Sequence, residues 1–331
     1  MKKDNILVIG ACGQIGTELT TALRRQYGGY RVVAADLKPV TPTLAAQGPY
    51  EQLDALDARA IASVINRHDI NQVYLLAAML SATGERHPQS AWQLNTQSLL
   101  HVLELARERK LARVFWPSTI AVFGPDAPKN NCPQYARLLP TTMYGISKAA
   151  GENLCQYYFG RYGVDVRSFR YPGLISHLAE PGGGTTDYAV DIFRQAILKR
   201  HYTCYLQSDT RLPMLYMPDA IRATLELMSA PSANISVRTS YNLGGLSFTP
   251  AELAASIAND LPGFTIDYQP DYRQGIADSW PGSIDDLSAK MDWYWEYEYG
   301  LSGMTRDMLI HLARKTGTVV GLPHLSETSF F

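Results

Sequence analysis

Apolar positions in this chain fall into short continuous runs separated by stretches with helical spacing. Ile6-Leu7-Val8-Ile9 forms the first run, the glycine-rich turn Gly10-Ala11-Cys12-Gly13-Gln14-Ile15-Gly16 follows, and residues 17–26 read as a helix. A second run over 30–35 ends in Asp36. A third is Val73-Tyr74-Leu75-Leu76-Ala77-Ala78 and a fourth Val114-Phe115-Trp116-Pro117, with a helix predicted over about 90–109 between them. Strands that alternate with helices predict an α/β fold built on a doubly wound parallel sheet. Strand and helix signals return at Leu215-Tyr216-Met217 with 218–228, and at Tyr241-Asn242-Leu243 with 249–258. Thr249-Pro250 supplies an N-cap and a first-turn proline for the last helix.

The order strand, glycine turn, helix carries chemistry. Glycines let the backbone approach a pyrophosphate, and the helix N-terminus offers free N–H groups. Asp36, twenty residues beyond Gly16, stands where an acid accepts ribose hydroxyls. A carboxylate there repels a 2′-phosphate, so the expected cofactor is NAD rather than NADP, with Lys38 as the opposing charge. The spacing G-x-x-G-x-x-G resembles the extended short-chain dehydrogenase/reductase superfamily. That resemblance makes Asp57 a candidate for contact with adenine; from its position alone it is equally a helix N-cap. A Rossmann domain is expected over 1–172, with returning segments at about 211–243. A smaller mixed α/β substrate lobe is expected over 173–210 and 244–315, and a tail over 316–331.

Composition narrows the function classes. Thirty Lys+Arg against 31 Asp+Glu leave a formal charge of −1 with no basic stripe, so nucleic acid and anionic membrane are not expected partners. Charged residues make up 18%, below the usual ~25%, which points to a covered surface and a homodimer. Cys12, Cys132, Cys155 and Cys204 are widely spread, as in a reduced cytoplasmic protein. His201 and Cys204 make the one close His/Cys pair, so no metal is expected. The N-terminal apolar run is too short for a signal segment or a membrane span.

Tyr144 and Lys148 sit at i and i+4 and share one face of a helix predicted over about 144–162. A phenol with its pKa near 10 is a poor base at neutral pH, and a neighbouring ammonium, together with the positive nicotinamide, favours the phenolate. Thr119, with Ser118 as the second candidate, offers a hydroxyl at the end of the fourth strand; strand-end capping is the alternative for both.

Several segments together are similar to the short-chain-type L-threonine 3-dehydrogenases. They are 76–85, 117–124, Tyr144-Gly145-Ile146-Ser147-Lys148, 170–176, 181–189, Ser279-Trp280-Pro281, and Asp292-Trp293 ahead of Met304-Thr305. The resemblance implies NAD-dependent oxidation of L-threonine at its 3-hydroxyl to 2-amino-3-oxobutanoate, with Tyr144, Lys148 and Thr119 catalytic. It implies a cofactor set of Gly10, Gly13, Gln14, Ile15, Gly16, Asp36, Asp57, Leu76, Ala77, Ala78, Tyr144, Lys148, Tyr171 and Gly173. Ser81, Thr119, Tyr144, Thr185, Thr186, Asp187 and Trp280 would meet the substrate, under a glycine-rich loop over 182–187. It also implies that the helices over 90–109 and 144–162 pair in a dimer. A nucleotide-sugar epimerase or dehydratase is the alternative within the superfamily, where Pro172-Gly173 replaces the Asn usual in those enzymes. A non-catalytic NAD-sensing regulator is the alternative outside it. The chain departs from the family pattern at 285–288 and at Trp293-Tyr294-Trp295, and the aromatic segment 292–299 is expected to pack in the lobe.

Overall fold

In a computed structural model, which describes residues 4–178 and 184–317, the apolar runs become the strands β1 (Ile6–Ile9), β2 (Val32–Asp36), β3 (Tyr50–Gln52), β4 (Gln72–Leu75), β5 (Arg113–Phe115), β6 (Ser118–Thr119), β7 (Val166–Arg167) and β8 (Phe169–Tyr171). Six of them form one parallel sheet in the order β3-β2-β1-β4-β5-β7. β6 and β8 continue their predecessors and pair with each other, and β8 pairs on its other side with β12 (Tyr241–Asn242). This is the Rossmann-type arrangement.

β1 shows why the runs are continuous. Ile6 and Val8 face a core shared with the helices Gln14–Tyr27 and Met217–Ser229, whereas Leu7 and Ile9 face one shared with Ala58–Arg67 and Ser98–Arg109. A strand covered on both faces has no polar side to present. The third run is shorter than its apolar length. Pairing ends at Leu75, and 76–78 peel away toward the mouth of the sheet.

The strands of the second half are β9 (Gly173–Ile175), β10 (His201–Cys204), β11 (Leu212–Tyr216), β13 (Leu246–Phe248) and β14 (Thr265–Tyr268). β11 pairs parallel to β9 and antiparallel to β13, and β10 pairs with β14. The segment at Leu215 therefore does not return to the cofactor sheet as its sequence suggested; β12 returns to β8, in the small sheet beside it. Leu212, Met214 and Tyr216 enter the lobe core, while Leu215 enters the cofactor-domain core, so β11 separates the two cores. The aromatic segment also differs from expectation. Trp293 and Trp295 are buried against Phe169 and Tyr241 on the cofactor side rather than in the lobe, because Trp295 Nε1 donates to Gly244 O and Asp292 accepts from Tyr241 and Ser236. Thr249 caps its helix in a reciprocal pair with Glu252, as predicted. Residues 318–331 of the tail lie outside the described residues.

One buried ion pair fastens these parts. Arg170 on β8 donates from Nε and Nη2 to the two Glu152 oxygens at 2.9 and 2.8 Å, and both side chains are almost fully buried. Removing one partner leaves an uncompensated charge out of water, which costs about 3–5 kcal/mol. Arg170→Met should lower the urea-unfolding free energy by that amount, while Arg170→Met combined with Glu152→Gln should cost less. Equal losses in the single and double variants would show that the pair is not what the fold loses.

Candidate active site

The site lies at the carboxyl ends of the parallel strands, where open α/β sheets hold their ligands. Gly10 ends β1 with φ +91°, a conformation side chains disfavour, and a Cβ there would stand 2.6 Å from Ala77 N. At Gly16 a Cβ would stand 2.1 Å from Gly10 O. The turn is held by Gly10 N and Ala11 N donating to Ala35 O, and by Cys12 N donating to Asp36 Oδ2 at 2.9 Å. Gly13 begins the helix without a side-chain cap, which leaves the first-turn N–H groups of Gln14, Ile15 and Gly16 facing the cleft. An open backbone cradle, an uncapped helix N-terminus and a carboxylate at the end of β2 fit a dinucleotide: pyrophosphate on the N–H groups, ribose hydroxyls on Asp36.

One cleft brings together Gly10, Gly13, Gln14, Ile15 and Gly16 with Leu76, Ala78, Ser81, Thr119, Tyr144, Lys148, Tyr171, Gly173, Thr185, Thr186, Asp187 and Trp280. Leu80, Pro117, Ile120, Pro172, Leu174 and Gly184 complete its walls together with Ser118. Ala77 packs behind Gly10. Asp57 lies outside the cleft and caps the helix Ala58–Arg67, its Oδ1 accepting from Arg59 N and Ala60 N. Of the expected glycine loop, 182 and 183 lie outside the described residues. Gly184–Asp187 forms a tight turn in which Gly184 N donates to Asp187 Oδ2 at 2.7 Å. The Thr185 hydroxyl is fully buried with no hydrogen-bond partner, an orphan polar group on the wall of the cleft.

The helix Met143–Tyr162, capped by Thr142 through Gly145 N, sets Tyr144 and Lys148 one turn apart. The Tyr144 phenol faces the Thr119 hydroxyl, which also caps the next turn by accepting from Ala121 N at 3.2 Å, and burial pushes the phenol up to about 12 against the pull of that hydroxyl. Ser118 is spent elsewhere: its hydroxyl donates to Glu152 at 2.6 Å. Of the two candidate hydroxyls, Thr119 is thus the one at the phenol. Lys148 Nζ donates to Pro117 O at 2.7 Å and lies 4.4 Å above the Trp116 ring and 5.9 Å from the Tyr144 ring centre. Burial brings its ammonium down to about 7, against the pull of Cys155 and Glu152. From the sequence Lys148 was expected to hold Tyr144 acidic. Both groups have instead been taken out of water, which disfavours the charged form of each, so the chain's own groups keep the phenol protonated at neutral pH.

Comparison with known proteins agrees with the cradle. Residues 6–244 match the model of the NAD dependent epimerase/dehydratase family. The chain belongs to that family. NAD is its cofactor. An uncharacterized epimerase/dehydratase of Staphylococcus haemolyticus is 46% identical over 314 residues, covering 94% of this chain and 98% of that protein. The holo structure of a GalE-like L-threonine dehydrogenase from Cupriavidus necator is 57% identical, with TM-score 0.91 over 93% of this chain and 99% of the other. A monomeric L-threonine 3-dehydrogenase from a metagenome is 46% identical, with TM-score 0.90 over 94% of this chain and 99% of the other. The family member described here therefore has the fold and cofactor of an oxidoreductase or epimerase-type enzyme.

Asn95 is the side chain that sequence reasoning missed. It sits in a π-helical turn over 93–97, accepts from Met79 N at 2.8 Å, and donates to Met79 O and Ser147 Oγ. It thereby fixes the segment after β4 against the helix bearing Tyr144. A buried Asn between Leu94 and Leu99, on an otherwise apolar face, was the available signal.

Lys148 also gives a stability test. Its folded value lies below the ordinary 10.5, so between about pH 7 and 10.5 the unfolded chain binds more protons and folding stability rises with pH. The penalty is fully present below about 7. Lys148→Met removes this dependence along with the Pro117 bond. The variant's urea-unfolding free energy relative to wild type should be most favourable near pH 6 and should decline toward pH 10. A difference that stays constant with pH would contradict the assigned burial cost.

Proposed function

We propose that this protein oxidises L-threonine at its 3-hydroxyl to 2-amino-3-oxobutanoate, with Tyr144 as the base. The observation that carries this reading is the Tyr144–Thr119 hydroxyl pair facing the Thr185–Asp187 turn across one cleft, with an orphan Thr185 hydroxyl on its wall. A small zwitterion fits that wall: its carboxylate can accept from the Thr185 and Thr186 hydroxyls, and its ammonium can face the Asp187 carboxylate. Ser81 and Trp280 bound the same space and exclude water around it. The strong likeness to solved L-threonine dehydrogenases supports the same substrate.

Thr119 donates to the substrate oxygen and aligns its proton with the Tyr144 phenolate, which takes it up. The oxidant is supplied by NAD, which when bound takes the hydride leaving C3 of threonine. Gly10, Gly13 and Gly16 would admit the pyrophosphate, Asp36 would hold the adenosine ribose, and Lys148 would hold the nicotinamide ribose. Because Tyr144 acts as the phenolate, the rate of oxidation rises with pH through neutrality until Tyr144 in the NAD complex is deprotonated.

Mixing protein and NAD with L-threonine should raise NADH absorbance, with none from D-threonine or UDP-glucose. Tyr144→Phe should lower turnover by about 10²–10⁴-fold while NAD binding, read by fluorescence titration, is retained. Near-normal turnover in that variant would remove Tyr144 from its role. NADH formation from none of the three substrates would favour an epimerase or dehydratase that returns its hydride.

We further propose a homodimer in the cytoplasm. Trp92, Ile146, Tyr157 and Tyr162 are exposed on the two helical segments expected to pair, and all four cysteines are free thiols. Among the described residues no helix is long and apolar enough to cross a membrane. Light scattering at micromolar protein should give twice the chain mass; a monomer mass, as named for the metagenome relative, would overturn this.

A further inference from the structure

A second cluster of ligand-type side chains lies where the cofactor domain meets the lobe, outside the active cleft. His177 follows β9, and Asp307 and His311 sit one turn apart on the helix Leu301–Thr316, which the lobe core grips through Met304, Met308, Leu309 and Leu312. One potential ligand atom from each lies within 4.8 Å of the others. The His177 and His311 rings stack with centroids 4.0 Å apart and planes 11° from parallel. His311 Nε2 is 3.5 Å from Asp307 Oδ1. Tyr216, at the end of β11, donates its hydroxyl hydrogen to Asp307 Oδ2. Its oxygen can then only accept from His177 Nδ1, 3.2 Å away, which leaves the lone pair of that imidazole on Nε2. A phenol that fixes the tautomer of one histidine and orients the carboxylate beside it is the outer shell metal-binding histidines require.

We propose that His177, Asp307 and His311 form a divalent transition-metal site of the Zn²⁺ class, with water as the fourth ligand. Two imidazoles and one carboxylate suit Zn²⁺, Co²⁺ or Ni²⁺ and do not suit the all-oxygen preference of Mg²⁺ or Ca²⁺. Bonds of about 2.0–2.2 Å require the stacked His177 and His311 rings to turn apart, because the in-plane lone pairs of parallel imidazoles do not meet at one ion, and rotation of these half-exposed side chains provides that movement. Lys315, whose Nζ donates to Leu178 O at 3.4 Å, is the opposing charge, and the Asp307 carboxylate offsets it at His177. Bound metal would clamp the helix Leu301–Thr316 to the ends of β9 and β11.

The test uses the full chain after chelator treatment, titrated calorimetrically with ZnCl₂ and, for its visible spectrum, with CoCl₂. One Zn²⁺ per chain should bind at micromolar concentration or below, shift thermal unfolding upward, and give a tetrahedral Co²⁺ spectrum, none of which Mg²⁺ should do. His311→Gln and Asp307→Asn should each weaken Zn²⁺ binding at least tenfold and abolish the thermal shift. Should one of these fail to fold by circular dichroism, His177→Gln serves in its place. No Zn²⁺ binding by wild type, or binding unchanged in the folded variants, overturns the site.

Discussion

The Glu152–Arg170 pair is the constraint on which the rest of the site depends. Glu152 lies two turns beyond Tyr144 and one beyond Lys148 on the same helix, so whatever fixes Glu152 fixes the face that carries both. Through Glu152 the helix binds Ser118 on β6; through Arg170 it binds β8, Asn242 on β12 and the carbonyl of Gln134. Gln134 in turn bonds Ser240 O and Asn242 N. Glu152, Arg170, Ser118, Gln134 and Asn242 each find partners within this network, as a buried network must if it is to specify one arrangement rather than weaken the core. The strand ends that carry Thr119 and Tyr171 are therefore set against the helix by charge-assisted bonds, where the neighbouring contacts are apolar and tolerate sliding.

A second constraint sets the lobe. β11 sends alternate side chains into two cores, so the lobe cannot shift as a body without moving Leu215 within the cofactor-domain core. Gly173 on the adjoining strand shows how closely the two halves approach: a Cβ there would stand 2.5 Å from Met214 Sδ and 2.7 Å from Thr186. Thr186 thus reaches the cleft because residue 173 has no side chain.

What was legible in the sequence was local. The glycine turn, Asp36, the Tyr144/Lys148 spacing and the Thr249-Pro250 start each lie within one element or one βα unit, where period and turn chemistry act directly. What was not legible depends on partners far along the chain. Glu152 meets Ser118 and Arg170 at separations of 34 and 18 residues, and Arg170 meets Asn242 at 72. β11 has the apolar run of a buried strand, and nothing in such a run says which sheet will accept it. The placement of Trp293 and Trp295 failed for the same reason: bulk predicts burial, but the bonds to Gly244 and Tyr241 choose the core. Asp57 shows the limit from the other side, since its cap bonds satisfy the residue without any ligand.

The electrostatics of Tyr144 and Lys148 sharpen the division of labour between chain and cofactor. A phenol beside an ammonium is usually credited with a lowered pKa, yet here burial raises Tyr144 and lowers Lys148. The cause is loss of water around both groups: Lys148 Nζ keeps Pro117 O and the Trp116 face as partners and lies 5.9 Å from the Tyr144 ring centre. In the proposed reaction Tyr144 would stay protonated in the protein alone and would become competent as a base when the positive charge and ribose hydroxyls of the cofactor enter the cleft, where the same burial that raises its pKa strengthens those interactions.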